Sequence, residues 1–469
     1  MKIKISFLAL FYFFCIYISF NAYGNDSPKK IYDKNYLQNI KTIDLKTAEL
    51  IALAENPSIQ AFEYKIKQAG EIIYQAWSSY LPKINWNILD TMRVHLSEND
   101  YNNALFQARL ISPMASIDDP QYIYKTQIVA TWSLFDGFYR KFNYLKAEYG
   151  QKETILSKLE LQRQILSLVA TNYYRAQLAL ENLAIAKADS EFNQKQADDA
   201  DARFQVGTGS LSDVLHFQVR VNSAKTEFIK TKENYEVLLS SLAALLGMPD
   251  ASFPPTIELA KLDSETPDEM KLPELDKMIL NAKKNRPDIK RFENLLMIAD
   301  ADIKIIEAKF WPTINLTATL TGEHKKNIHF GFDDFGNTAL FNFSYNLYSG
   351  GYFNSQLQQA QLKKEESKKN LNQIMINVIS EVRQSLTQLK SAQEQIVLQR
   401  ENTSLVEQNM NLVEKEYIAG RASLMRFNEA QNNLITAKGL LALALVSLRQ
   451  AWNNLFAVTG EILLSFKDL

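Results

Sequence analysis

Two hydrophobic periods alternate along the chain. From Gly137 to Phe204, apolar residues recur in a 4-3 spacing at Ile155, Leu159, Leu166, Val169, Tyr173, Ala176, Leu180 and Leu183, with Gln162 filling the one odd slot and polar and charged residues between them. Met375, Ile379, Val382, Leu386, Leu389 and Ile396 repeat the spacing later. Such a seam, uninterrupted by proline, predicts a coiled-coil helix. At 1.5 Å per residue the first run is about 100 Å long. Elsewhere the period falls to two. Ile84, Trp86 and Ile88 alternate with asparagines, and Ile128, Ala130, Trp132 and Leu134 with Gln127, Thr131 and Ser133. Ile314, Leu316, Ala318 and Leu320 alternate with Asn and Thr, and Phe341, Phe343, Tyr345 and Leu347 with Asn342, Ser344 and Asn346. These runs predict strands at about 83–96, 122–135, 313–321 and 338–348, each apolar on one face and uncharged-polar on the other.

The punctuation occurs twice. Gly137, Gly207 and Gly247 return as Gly350, Gly420 and Gly460, at one offset of 420 − 207 = 213 residues. Asn56-Pro57 and Leu81-Pro82 return as Arg286-Pro287 and Trp311-Pro312, at 312 − 82 = 230 residues. The first copy therefore carries 230 − 213 = 17 extra residues between Pro82 and Gly137, assigned mostly to the first of two polar loops, Ser97–Pro120 and Gly322–Gly336. An internal two-fold repeat follows. Repeat 1 (57–248) holds a short helix, two strands, a long helix at 138–204 and a return helix at 211–247. Repeat 2 (286–460) holds the same series, with its long helix at 351–417 and return helix at 424–458. An N-terminal segment (25–56), a Pro- and acid-rich linker (249–285) and a tail (461–469) complete the chain. The return helices are too short to match the long ones. Stacking each short helix end to end on a return helix makes up the height. The linker and the N-terminal segment are expected outside the column at that joint.

Composition narrows the class. Lys+Arg 52 against Asp+Glu 53 leaves no basic field for nucleic acid. Lys2 and Lys4, the apolar Leu8–Phe20 and Ala22-Tyr23-Gly24 read as an export signal over 1–24, in preference to a single membrane anchor. The one cysteine, Cys15, lies inside that signal, and Tyr12-Phe13-Phe14 before it is no lipoprotein cleavage box. Beyond residue 24 no apolar run of about 18 residues is read, so no transmembrane helix is expected. Strands of about 10 residues suit a tilted membrane crossing. Their uncharged polar face suits a water-filled barrel better than a soluble sandwich. Four strands cannot close a barrel, and free edges are not tolerated in lipid, so the sheet must close between copies.

The paired Asn56-Pro57 and Arg286-Pro287, Leu81-Pro82 and Trp311-Pro312, Leu134-Phe-Asp-Gly137 and Leu347-Tyr-Ser-Gly350, and the tips Val206-Gly207-Thr208 and Ala419-Gly420-Arg421 together resemble the TolC-like outer-membrane efflux proteins. These are the outer-membrane factors of tripartite efflux and type I secretion systems. The resemblance covers about Leu45 to Gly460. It implies an α+β membrane protein: a homotrimer in which four strands per chain form a twelve-stranded β-barrel in outer-membrane lipid, continued by a helical coiled-coil barrel. It also implies a periplasmic adaptor and an inner-membrane ABC or RND-type pump as partners, and a passive channel with neither cofactor nor catalytic role. Pro82 and Pro312 would mark strand entry, Gly137 and Gly350 the barrel-to-helix junction, and Gly207 and Gly420 the turn at the periplasmic tip. In the family the second tip carries two aspartates, six and nine residues after its glycine, that line the entrance. Here those positions hold Arg426 and Glu429, and Asp213 and His216 are their first-repeat equivalents. Tyr417 matches a position that links neighbouring coils in the closed state. Asp213 on a neighbouring tip could pair with Arg426 as a latch. The alternative is a soluble periplasmic coiled-coil adaptor, though one hairpin in a lipoyl-like domain would then be expected. No catalytic constellation is visible. His324 and His329 share a loop with Asp333 and Asp334, better read as solvated than as a metal site.

Overall fold

The computed structural model describes residues 41–117, 121–254, 257–325 and 329–466. The export signal over 1–24, the first half of the 25–56 segment (25–40) and the last three residues of the tail lie outside the described residues.

The elements run β1 (Thr42–Ile43), α1 (Leu45–Glu55), α2 (Pro57–Ser78), β2 (Lys83–Val94), α3 (Glu98–Ile111), β3 (Gln121–Phe135), α4 (Tyr139–Gln205) and α5 (Leu211–Leu245). Then come β4 (Glu258–Leu259), α6 (Leu275–Asn285), α7 (Pro287–Glu307), β5 (Thr313–Lys325), β6 (Phe335–Ser344), α8 (Tyr352–Ile418) and α9 (Leu424–Thr459). Toward the sheet, α4 packs on α2 and α7, and α7 on α8. Toward the tips, α4 packs on α5 and α9, and α9 on α8. The shorter helices thus share the length of the 67-residue α4 and α8.

Each joint between stacked helices is chemically specified. Pro57 starts α2 because its missing N–H is one the first turn cannot use, and Asn56 caps that turn through Ser58 N at 2.9 Å. The Asn56 amide donates to Leu245 O, at the end of α5, at 2.9 Å. At the second joint Arg286 donates to Val458 O, near the end of α9, at 3.2 Å. Orphan carbonyls of one helix end are satisfied by the flank of the next helix's start. Both joints need glycine. A Cβ on Gly247 would lie 2.6 Å from Glu55 O, and one on Gly460 would lie 3.1 Å from Arg286 N. The second joint adds charge: Arg286, 4% exposed, bonds Asp288 and Glu381.

A belt surrounds the joints. β1 and β4 pair in parallel. Ile43, Ala48 and Ala52 pack with Val169, Tyr173, Leu242 and Leu246 in one core. Met278, Ala282 and Ile289 pack with Val382, Leu389, Leu448 and Leu455 in another. The linker read over 249–285 contains helix α6, which the Pro-rich composition concealed. It stands 275 − 45 = 230 residues after α1, the offset that the paired prolines already displayed. The tail forms a 3-10 turn, Glu461–Phe466, with Ile462 and Phe466 buried against Leu166 and Ala457.

The sheet order is β2-β3-β5-β6, antiparallel throughout. Register aligns Trp132, Leu316 and Phe341 on one face, and Ser133, Asn315 and Asn342 on the other. β6 ends at Ser344 rather than near 348, because its partner begins at Thr313, opposite Ser344 and just after Pro312. Among the described residues Tyr345 and Leu347 pair with no strand. β5 instead outlasts the expected 321 and pairs with β3 as far as Lys325. The polar loop read over Ser97–Pro120 contains α3, with Ser97 Oγ accepting from Asp100 N at 3.2 Å.

Two more expectations shift. Leu166, Val169, Tyr173 and Ala176 are buried as the seam requires, but Ile155 and Leu159 are exposed and Leu156 is buried instead. The inward stripe of α4 turns where its partners change to α2 and α7. Toward the tip it continues as Ala179, Ala186, Asn193 and Ala200, one per heptad. Also, α9 is long and apolar enough to cross a membrane by composition, which the reading of apolar runs overlooked. It packs on α8 and α4 in the column, its alanines (Ala442, Ala444 and Ala451 among them) allowing close approach.

The joints and the belt can be tested by stability. Arg286→Ala removes the partner of two carboxylates and should destabilise the fold by about 3 kcal/mol, the low end for a broken buried pair because Glu381 is half exposed. Asn56→Ala should cost about 1 kcal/mol, both changes being read by thermal unfolding of detergent-solubilised protein. Burial alone would raise the Asp288 carboxyl, but Arg286 outweighs it and holds it below its ordinary value. That contribution is present above the ordinary carboxylate pKa and is lost as pH falls through the depressed one. Glu49 behaves oppositely. Burial, reinforced by Asp44, pushes its carboxyl up to about 8. Its stabilisation is full below about 4.5, the ordinary value, and is lost as pH rises toward 8. Glu49→Gln should therefore gain unfolding temperature relative to wild type between pH 5 and 8, and a constant difference would refute this.

Candidate functional site at the hairpin tips

Each long helix ends in a glycine with positive φ, Gly207 at +78° and Gly420 at +72°. This left-handed residue closes a Schellman turn. Gly207 N donates to Phe204 O and Thr208 N to Arg203 O; Gly420 N donates to Tyr417 O and Arg421 N to Glu416 O. Three residues after each glycine a serine caps the return helix. Ser210 Oγ accepts from Ser212 N at 3.1 Å, and Ser423 Oγ from Arg426 N at 3.3 Å. The Gly-x-x-Ser-Leu pattern of both tips is thus a helix stop followed by a helix start.

The two tips pack on each other. Phe427, fully buried, lies with Phe217, Met410, Val413, Ala200 and Ala430. Tyr417 stacks on Phe427 at 4.8 Å between ring centroids, nearly parallel, and Phe192 sits 6.0 Å from Phe427. His216 Nε2 lies 2.9 Å from Asn428 Nδ2, and the Arg220 guanidinium donates to Asn432 Oδ1 at 3.2 Å. The starts of α5 and α9 are therefore tied together within one chain.

The residues singled out from the sequence gather at this end, in different roles. Tyr417 belongs to the tip core; burial, then the Asp213 carboxylate, push its hydroxyl above the usual value. His216 holds Asn428. Arg426 is partnered inside its own chain, by Glu416 at 2.9 Å, with both side chains largely exposed. Glu429 faces solvent one turn along α9. What these side chains supply at the tip is charge and shape. Phe427, Glu416 and Arg220 were missed. Phe427 could have been found from the apolar series Leu424, Phe427, Ala430 and Leu434.

At the other end of the column, Pro82 and Pro312 directly precede β2 and β5. A Cβ on Gly137 would collide with the Ala308 carbonyl oxygen, so only glycine fits between strand and helix there. Two left-handed residues in succession start each long helix, Gly137-Phe138 and Gly350-Gly351. Phe138 holds its strained φ of 69° between Phe135 and Trp311, at 5.4 and 6.3 Å. Arg140 staples the corner by donating to Asp136, Ser133 O and Leu134 O. In the outer loop His324 Nδ1 lies 3.1 Å from Asp334 Oδ2, and among the described residues no three His, Cys, Asp or Glu side chains are gathered as a metal would require.

Comparison with known proteins agrees with this geometry. The family model of outer membrane efflux proteins matches residues 51–248 and 278–461. The toluene efflux pump outer membrane protein TtgC of Pseudomonas putida is 24% identical over 330 residues, 68% of this chain and 63% of that protein. The cation efflux system protein CusC of Escherichia coli K12 is 26% identical over 329 residues, 68% of each chain. The crystal structure of the Campylobacter jejuni CmeC outer membrane channel superposes with a TM-score of 0.73 at 18% identity, over 93% of this chain and 91% of that one. With a matching family model over most of its length, a four-stranded sheet and two long hairpins, the chain belongs to the outer membrane efflux protein family, the TolC-like channels of the Gram-negative outer membrane.

Proposed function

We propose that this protein is the exit duct of a tripartite efflux or type I secretion system. Three copies would close a twelve-stranded barrel in outer-membrane lipid and continue it as a helical tunnel through the periplasm. The observation that carries this is the sheet: four antiparallel strands with β2 and β6 as its edges among the described residues, one apolar face, one polar face, and 67-residue helices leaving one end. Free edges in lipid leave backbone groups unpaired at several kcal/mol each, so the sheet must find copies of itself. In the column, Ser167, Thr171, Gln388, Ser391, Gln395, Ser447, Gln450 and Asn454 line a groove facing away from the belt residues Tyr173, Gln393 and Trp452. An uncharged polar wall of this kind suits a conduit for varied solutes. A soluble adaptor would have no use for the two-faced sheet. The partners would be a periplasmic adaptor and an inner-membrane ABC or RND-type pump, as the relatives' efflux roles suggest.

The gate would be the tip. Threefold symmetry turns Asp213, Arg426 and Glu429 into rings of charge, and the ring at Arg426 is basic where the family pattern is acidic. Arg426 would hold Glu416 of its own chain and face Asp213 across the copy boundary in the closed state; Tyr417 keeps the coil packed. Purified protein in planar bilayers tests this. Wild type should form channels of low conductance and weak cation preference. Arg426→Ala or Asp213→Ala should raise conductance, and Arg426→Ala should also shift selectivity toward cations. Channels whose conductance neither variant changes would sink the gate but leave the duct; a monomer that forms no channels would sink both.

A further inference from the structure

The 17 extra residues of the first copy fall where α3 forms, at the outer end of the sheet. None of the 14 residues of α3 is buried. An isolated helix of that length is marginal in water. Among the described residues it makes no extended packing with another element, although Tyr101 Oη donates to Ile117 O at 3.4 Å, folding the following turn back under it. Its apolar residues form two stripes. Tyr101, Ala104, Leu105 and Ala108 share one side and are half-buried. Phe106 and Leu110, one turn apart on the opposite side, are 62% and 66% exposed, and Met114 continues the patch beyond the helix end. A helix apolar on two sides is built to lie between two layers. One layer is its own loop.

The topology supplies the other. α3 begins just past the outer end of β2, one edge of the sheet. β6 is the other edge, and its outer end begins with the 3-10 turn Phe332–Asp334. In that turn Phe332 is 100% exposed. Its neighbours hold it so: Phe330 packs on Phe335 at 5.9 Å, while the Asp334 carboxylate accepts from Gly331 N at 2.7 Å and lies 3.1 Å from His324 Nδ1. A rigid turn thus presents one aromatic ring at little ordering cost. Closing the barrel between copies places β6 of one copy beside β2 of the next, in the antiparallel sense, because β2 runs toward the outer end and β6 away from it. The two exposed apolar patches lie at the same end of these two edges.

We propose that α3 is an extracellular clasp. Its Phe106–Leu110–Met114 patch seats Phe332 of the adjacent copy and fastens the barrel seam at the outer mouth. This deepens, and rests on, the reading of the protein as an oligomeric duct.

Paired cysteines test it. Cys15 is the one cysteine of the sequence, so Cys15→Ser gives a clean background. Leu110→Cys with Phe332→Cys, oxidised on intact cells, should move most of the chain into dimer and trimer bands that survive boiling, while either cysteine alone should not. Phe106→Ser with Leu110→Ser should lower the temperature at which the unboiled trimer dissociates in SDS, which keeps the test open if the cysteine pair fails to assemble. A trimer on native gels with no covalent ladder, and with the thiol of the single Leu110→Cys variant fully labelled by an impermeant maleimide, would overturn the clasp and leave the duct standing. Quenching of a fluorophore attached to that same Leu110→Cys variant by brominated lipid in liposomes would also overturn it, placing α3 on the lipid surface. Absence of any trimer on native gels would remove the duct reading itself, and the clasp with it.

Discussion

The column stands on two helix-to-helix joints. A carbonyl left over at the end of a return helix must be bonded somewhere, and the residue before a proline-started helix bonds it: Asn56 to Leu245 O and Arg286 to Val458 O. Because the joints hold, two shorter helices run as one beside each 67-residue helix, and the belt has a fixed ledge to pack on. The glycines beside the joints are there because a side chain would strike the neighbouring backbone. These bonds fix how the stacked ends meet, while packing along α4 and α8 holds the short helices in the column.

Much of this is legible in the sequence because it is punctuated by residues with one physical meaning. Pro82 and Pro312 mark strand entry, and Gly207 and Gly420 mark helix stops, since no other residue satisfies the backbone as well. The lengths of α4, α5, α8 and α9 follow from such marks to within about two residues, the usual ambiguity of helix ends. What resisted reading was set by partners rather than by local signals. β6 ends where β5 begins, so the alternation continuing through Tyr345 and Leu347 misleads. α6 hides in a proline-rich segment and shows only in the repeat offset. α3 hides because its apolar residues occupy two sides, which blurs any single-face periodicity. The inward stripe of α4 rotates when its neighbours change, so Ile155 and Leu159 fit the heptad and still face out.

At the tips the legible and the hidden parts divide along the same line. The glycines, the capping serines and the charged positions could be named in advance. Their partners could not: Arg426 is held by Glu416, His216 by Asn428, and Tyr417 by Phe427, contacts that arise only when two hairpins far apart in sequence meet.

The two joints are alike in place and unlike in strength, and this matters mechanically. From joint to tip a return helix of 35 residues extends about 50 Å, so a tilt of only about 5° at the joint carries the tip about 4 Å. At the first joint the Asn56 amide ties α2 to the end of α5 by one hydrogen bond; at the second Arg286 ties α7 both to α9, through Val458 O, and to α8, through Glu381. Equal torque applied at the far end would therefore swing the two arms by different angles. The pair behaves as a soft lever set beside a stiff one.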